Sequence, residues 1–139
     1  MLQSPAGLYL AMLAQVLLTM VVYVALARAK GRALRAGQVD RARARLHDDA
    51  WPDDVIQINN NIDNQFQVPV LFYVVCFILA ATNATGLLVL ALAWLFVATR
   101  VAHAWIHTHS NYVPLRRNVF MAGCVIVVAL WVLAVVRVL

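Results

Sequence analysis

The sequence contains no glutamate, and only 6 of its 139 residues are acidic. Charged residues make up 12% of the chain and hydrophobic residues 64%, whereas a soluble domain is roughly a quarter charged and about half apolar. This composition excludes an ordinary soluble globular protein and is typical of a membrane protein. A chain of this length forms one domain, and we expect the lipid bilayer to cover much of its apolar surface.

Cysteine is also scarce. The two cysteines, Cys76 and Cys124, each lie inside an apolar stretch, and their distance along the chain gives no CxxC spacing for a metal or redox site. The pattern indicates two small buried apolar side chains.

Apolar segments dominate the chain. Leu8–Ala27 carries no charge over twenty residues, and about twenty residues cross the hydrocarbon core of a bilayer. Three further apolar runs follow, and two of them span a membrane only if each carries a polar end into it. The sequence therefore predicts a single-domain, all-α integral membrane four-helix bundle, with helices at about 5–28, 55–81, 86–108 and 114–137 and a loop at about 29–54.

The basic residues are unevenly distributed. Seven of the eleven lie between Arg28 and Arg45, and the linker before the fourth segment adds Arg116 and Arg117. Basic clusters can contact nucleic acid, but clusters that flank membrane helices follow the positive-inside rule. We therefore expect no nucleic-acid partner, both basic loops in the cytoplasm, and both termini on the other side.

Polar residues gather where the second, third and fourth segments meet the cytoplasmic side. Helical periodicity places those of the second segment on one stripe: Asn60, Asp63, Asn64 and Gln67. Those of the third segment form a second stripe: Arg100, His103, His107 and Asn111. Arg116 and Phe120 share a face at the start of the fourth segment. Ionisable groups at membrane depth face protein or water, so the stripes predict a hydrated pocket for a small anionic molecule, beside which the membrane can deliver an apolar one.

Several of these residues also have purely structural interpretations. Asp63 and Arg100 can neutralise each other as an ion pair, and His103 can hydrogen-bond a neighbouring helix. His103 and His107 have the i, i+4 spacing of helical zinc ligands, but no acid completes an HExxH motif, so we expect no metal. Arg117 is interpreted as an anchor for lipid headgroups.

Two stretches carry a resemblance to a known family: NNNIDNQFQVPVLFY (Asn59–Tyr73) and RVAHAWIHTHSNYVPLRRNVF (Arg100–Phe120). They resemble the MAPEG family, the membrane-associated proteins of eicosanoid and glutathione metabolism, and the likeness is closest to small bacterial members. The resemblance implies a bacterial inner-membrane homotrimer that binds glutathione between protomers near the cytoplasmic face. It also implies lipophilic electrophiles that arrive through the bilayer.

The resemblance assigns roles to the third and fourth segments. Arg100 and His103 match an RVAH signature of the prostaglandin E synthase branch, in which the histidine approaches the ligand. The tyrosine expected one turn later is His107. Arg116 matches the arginine that stabilises the glutathione thiolate, and the tyrosine expected four residues after it is Phe120.

In the second segment the match is partial. Asn64 matches the asparagine of an NxxE element, but the glutamate is replaced by Gln67. The cation often found beside that asparagine is replaced by Asp63. These changes weaken the expected contacts with the carboxylates and the ammonium group of glutathione.

The leading hypothesis is glutathione-dependent conjugation or peroxide reduction of lipophilic electrophiles, with Arg116 as the catalytic residue. The other pocket residues would bind glutathione: Asn60, Asp63, Asn64, Gln67, Arg100, His103, His107 and Phe120. The alternative is a non-catalytic membrane subunit in which the polar stripes hold helices and protomers together. A third hypothesis is a metal or quinone site at His103 and His107.

Overall fold

The structure is a computed structural model that describes residues 5–139. It contains five α-helices, connected by short loops except for a longer segment with two 3-10 turns between the first two: α1 (Ala6–Arg35), α2 (Asp53–Gln65), α3 (Val68–Ala81), α4 (Leu87–Thr108) and α5 (Val113–Val138). The described part of the chain has no strand, so the predicted all-α class is confirmed.

Four helical spans are long and apolar enough to cross a membrane, and α2 and α3 together form one of them. Their outer surfaces are strongly apolar: Leu13 and Leu17 of α1, for example, are each 61% exposed. A soluble protein rarely exposes such continuous apolar surface, whereas lipid covers it without cost. The predicted integral membrane four-helix bundle is confirmed, and the homotrimer stays a prediction.

Helix α1 continues to Arg35, beyond the predicted end at about residue 28. The extension contains alanine, arginine and leucine, which favour helix, so the basic stretch begins as part of α1 rather than as a loop. Gly37 ends it with a φ of 69°, while the Gln38 N–H donates to the Ala33 carbonyl at 3.0 Å and the Gly37 N–H to the Leu34 carbonyl at 3.2 Å. This pair of bonds is the Schellman motif, which glycine favours.

The second span is broken between α2 and α3. The sequence predicts one helix through this region, but the backbone of Gln67 leaves the helical conformation with φ −96° and ψ −100°. Pro69 explains the break, because it has no N–H for the Gln65 carbonyl and its ring clashes with that carbonyl in a continuous helix. The break separates a polar α2 from an apolar α3.

The interior has two apolar clusters. One joins the start of α1 to α3, α4 and α5, and contains Phe72 and Phe96, whose rings stack with centroids 4.3 Å apart. The other joins the end of α1 to α2 and α4, and contains Val22, Val55 and Ala104. The helices also bury polar side chains, namely Gln15, Asn61, Gln65, Arg100, His103 and His107, so part of the bundle interior is polar.

Candidate functional site

Three ionisable side chains of α4 lie inside the bundle. Arg100, His103 and His107 are 1%, 3% and 3% exposed, and their spacing places them on one face of the helix. The prediction that Asn111 lies on the same stripe is wrong. Helix α4 ends at Thr108, and Asn111 has a left-handed φ of 47° that takes it off the helix.

Aromatic rings enclose the guanidinium of Arg100. Its Cζ lies 5.0 Å from the centroid of the Phe120 ring and 5.7 Å from that of Phe96, at distances where cation–π attraction is effective. Its Nε and Nη2 atoms are buried without a hydrogen-bond partner in the structure. Gly123 of α5 adjoins the group, and a Cβ there would lie at van der Waals distance from Nη2, 3.5 Å away.

We expect the substitution Gly123→Ala to destabilise the protein. The added Cβ would lie 3.1 Å from Thr99 Oγ1, which is held in place by its hydrogen bond to the Phe96 carbonyl at 2.7 Å. Overpacking of this kind costs about 1–3 kcal/mol, more than the roughly 0.5–1 kcal/mol that alanine gains over glycine in a helix. Gly31→Ala is the matched control, because only the flexible end of Arg35 lies within 4 Å of the added Cβ. Alanine there should gain about 0.5–1 kcal/mol of helix stability. Thermal unfolding in detergent measures both, and equal melting temperatures would contradict the expectation.

Helix α2 turns its predicted polar stripe outward. Asn60, Asp63 and Gln67 are exposed, and Asn64 is partly buried, with its Nδ2 donating to the Asn60 carbonyl at 2.8 Å. The inner face carries Asn61 and Gln65 instead, which are 0% and 3% exposed.

The prediction that Asp63 and Arg100 form an ion pair is wrong. In the described part of the chain the ion pairs are Arg32–Asp54 at 3.6 Å and Arg43–Asp49 at 2.7 Å, and neither involves these two residues. Asp63 lies on the outer face of α2, while Arg100 is enclosed by aromatic rings inside the bundle. The sequence predicts that both residues lie at a similar depth in the membrane, but this does not bring their side chains together, because α2 turns Asp63 away from Arg100.

We therefore expect Asp63→Asn and Arg100→Gln to act independently on stability. Side chains that share no contact give additive changes in the free energy of unfolding, within about 0.5 kcal/mol. A double-mutant cycle in detergent measures this. A double variant clearly more stable than the sum of the single effects would show that the two charges meet, and would contradict this arrangement.

An open cleft of about 280 Å³ lies between α2, the end of α4 and the start of α5. Its walls bring together four of the predicted site residues with two others: Asn64, His103, Arg116 and Phe120, with Val113 and Arg117. The His103 and Phe120 rings are 5.6 Å apart. Arg100 and His107 lie behind this surface, and Asn60, Asp63 and Gln67 are outside its walls. The assignment of all these residues to glutathione stays a prediction.

Arg116 is the partly buried cation of the cleft. Its Nη1 donates to the Asn111 side-chain oxygen, and no acidic side chain of the described residues forms an ion pair with it. It lies in the first turns of α5, where the helix dipole adds partial positive charge. Pro114 lies in the first turn of α5, where a proline is favoured because the N–H that it lacks has no partner within the helix. The cleft therefore has a positive character that favours an anion.

Arg117 also contributes to the wall of the cleft, although the sequence suggests only a headgroup anchor. Its side chain is exposed, so it can contact either a lipid headgroup or a ligand in the cleft.

The two histidines of α4 are neighbours, with ring centroids 5.5 Å apart and planes at 75°. Among residues 5–139 no group of three or more His, Cys, Asp or Glu side chains is placed to hold a metal ion. The Nδ1 atom of His107 is already engaged by Asn61 at 3.2 Å.

A buried hydrogen-bond chain, absent from the sequence predictions, joins three helices. Gln15 Nε2 of α1 donates to Gln65 Oε1 at 2.9 Å, and Gln65 Nε2 donates to Asn61 Oδ1 at 3.1 Å. Asn61 Nδ2 then meets the His107 ring. We call these four residues the amide–histidine chain. All of them are at most 3% exposed.

A signal for this chain exists in the sequence. Val55, Ile58 and Ile62 recur at helical spacing and mark the inner face of α2, and Asn61 and Gln65 fall on that same face. The outward face of α2 carries more polar residues, and their number makes it the more conspicuous stripe in the sequence. Gln15 is likewise visible as an isolated amide within an apolar helix.

Comparison with known proteins gives one family. The sequence model of the MAPEG family matches residues 8–136, a span that includes both stretches on which the resemblance rests. No curated protein matches the chain, and no solved structure matches it.

Proposed function

Because the chain belongs to the MAPEG family, we propose that it is a glutathione-dependent membrane transferase or peroxidase that acts on lipophilic electrophiles. The thiolate of glutathione would bind in the cleft beside Arg116. An apolar substrate would reach it from the bilayer. The apolar outer faces of the helices are in contact with the lipid.

This proposal rests on Arg116, which has no acidic partner among residues 5–139. An ionisable group at membrane depth is costly unless it is paired or faces water. An anionic ligand would supply the missing charge. A free thiol has a pKa of about 8.5, which a nearby cation and a helix N-terminus both lower, and the start of α5 offers both features.

The other cleft residues would orient the ligand. Asn64 and His103 offer hydrogen-bonding groups at the wall of the cleft, and the His103 ring makes no hydrogen bond within the described chain. Arg117 can pair with a ligand carboxylate. Phe120 replaces a tyrosine of the family pattern, so it can pack against the ligand but cannot donate a hydrogen bond.

A homotrimer would explain the outward stripe of α2. Asn60 and Asp63 are exposed on a helix that belongs to a membrane span, and Gln67 is exposed in the break that follows it. Polar groups there require protein or water around them. A second copy of the chain would cover this face and deepen the shallow, open cleft. The stripe residues would then come close to glutathione from the interface side.

Calorimetry with purified protein in detergent tests the proposal. We expect heat on titration with glutathione, and a raised melting temperature with glutathione or an S-alkyl analogue. The matched variant Arg116→Gln removes the cation and should weaken the response to glutathione. The absence of both heat and thermal stabilisation in the wild type would contradict the proposed function.

The second candidate function is a non-catalytic membrane subunit. The amide–histidine chain favours it, because it connects α1, α2 and α4 without any ligand. The replacement of family residues by Gln67 and Phe120 points the same way. A folded trimer that fails to respond to glutathione would support this candidate.

We also infer that the basic loop after α1 lies in the cytoplasm and both termini in the periplasm of a bacterial inner membrane. The basic residues of the two loops motivate this orientation. A single cysteine at the exposed Gln38, in a chain otherwise free of cysteine, should resist an impermeant thiol reagent in intact cells. It should react after lysis. Labelling in intact cells would contradict this orientation and place the basic loop on the periplasmic side.

A further inference from the structure

The amide–histidine chain has a direction. Each amide presents its nitrogen toward His107 and its oxygen away from it: Gln15 donates to Gln65, Gln65 to Asn61, and Asn61 to the ring. An amide NH₂ group donates and does not accept. Nδ1 of His107 must therefore be the acceptor, which leaves it without a proton.

The end of the chain at Gln15 favours this direction. Gln15 is 0% exposed, and its Oε1 has no hydrogen-bond partner in the structure. If all three amides were turned round, this oxygen would be satisfied, but the Gln15 nitrogen with its two N–H groups would lose its partner. A buried carbonyl oxygen without a partner is less rare in proteins than a buried N–H without one.

The second ring nitrogen of His107 remains available. Nε2 makes no hydrogen bond within the described chain, yet it is not among the side-chain atoms that are fully sealed without a partner. The ring as a whole is 3% exposed and lies just behind the cleft wall, so Nε2 has unused hydrogen-bonding capacity close to the cleft. The ring lies next to His103, which forms part of the wall of the cleft.

We propose that Gln15, Gln65 and Asn61 are positioning residues that hold His107 as the neutral tautomer with its proton on Nε2, so that Nε2–H is a fixed hydrogen-bond donor toward an oxygen acceptor of the ligand. The part of this inference that concerns the ligand rests on the proposed function. The part that concerns the tautomer does not.

The tautomer decides what the ring can bind. With the proton on Nε2, the ring donates to a carboxylate or carbonyl oxygen. With the proton on Nδ1, Nε2 would present a lone pair and repel such an oxygen. Asn61 fixes the choice by contact, and Gln65 and Gln15 fix the orientation of Asn61.

The substitution Gln65→Glu separates this role from simple packing. An ionised carboxylate only accepts hydrogen bonds, so at a pH high enough to ionise the buried acid it would still accept from Gln15 but could no longer donate to Asn61. Asn61 would turn its nitrogen toward the new carboxylate and its oxygen toward His107. The ring proton should then move to Nδ1, although Gln65 does not touch the ring.

Nitrogen-15 NMR of histidine-labelled protein in lipid, without glutathione, measures the tautomer, and the loss of a signal in His107→Gln assigns it. We expect Nδ1 of His107 to be unprotonated in the wild type and protonated in Gln65→Glu. Gln57→Glu is the matched control, because it places the same charge on α2 outside the chain, and it should leave the signals unchanged. If Gln65→Glu does not fold, Asn61→Asp should protonate Nδ1 by direct contact.

A protonated Nδ1 in the wild type would overturn the proposal, and so would an unprotonated Nδ1 in a folded Gln65→Glu or Asn61→Asp variant. Added glutathione should then shift the Nε2 signal. If glutathione binds by calorimetry but this signal does not move, His107 is not a ligand donor. If glutathione does not bind, the proposed function fails while the tautomer result stands.

Discussion

Replacing Arg116 with alanine is expected to slow the conjugation of a lipophilic electrophile by about ten- to a hundredfold at neutral pH. The guanidinium would stabilise the thiolate more than the thiol, so its loss should raise the pKa of the bound thiol by about one to two units, each worth about 1.4 kcal/mol. Glutathione affinity should fall less, because other residues would hold most of the peptide.

Arg137→Ala is the matched control for this variant. Arg137 belongs to the same helix, but it lies at the opposite end, where its Nε donates to the Thr82 carbonyl at 3.3 Å. The control should retain full conjugation. Equal turnover in Arg116→Ala and the wild type would remove the catalytic role of Arg116, and the residue would then be a headgroup anchor like its neighbour.

The second large effect is expected at Gln65, which makes two of the three bonds in the amide–histidine chain. Gln65→Leu should lower the free energy of unfolding by about 1–3 kcal/mol. Its bond to Gln15 joins two helices, and such bonds between membrane helices average about 0.6 kcal/mol and reach about 1.7; a buried polar group left without its partner costs about 1–3 kcal/mol. Asn61 and Gln15 would also lose partners at fully buried positions. Gln57→Leu, on the same helix outside the chain, should change stability by less than about 0.5 kcal/mol.

A second substitution distinguishes the hydrogen-bond chain from packing. Gln15→Leu combined with Gln65→Leu should cost less than the two single effects added together, since each single variant leaves the other glutamine without its partner and the double variant removes both glutamines. The free energies of unfolding of the wild type, the two single variants and the double variant, measured in mixed detergent, form the double-mutant cycle. Additive effects would mean that Gln15 and Gln65 do not support each other.

The architecture could be predicted because lipid imposes a simple rule: each span needs about twenty apolar residues. The end of α1 was harder to place, since arginine and alanine continue a helix beyond the membrane and the stop depends on Gly37. The break before α3 was visible only as Pro69. Its effect on the direction of α2 depends on tertiary packing.

The site was predicted in part for a similar reason. Spacing alone placed Arg100, His103 and His107 on one face of α4, and the structure buries that face. On α2 two polar faces competed, and periodicity could not decide which one faces inward. The choice follows from the apolar residues Val55 and Ile62 beside Asn61, which pack against α1 and α4.

The thiolate absorbance of glutathione bound to the wild-type protein is the most direct test of thiolate stabilisation by Arg116. We expect an ultraviolet thiolate signal at neutral pH on addition of glutathione, and a signal in Arg116→Ala that appears only at higher pH. The measurement is made at glutathione concentrations that calorimetry shows to be saturating. Saturated wild-type protein without a thiolate signal at neutral pH would contradict the role proposed for Arg116.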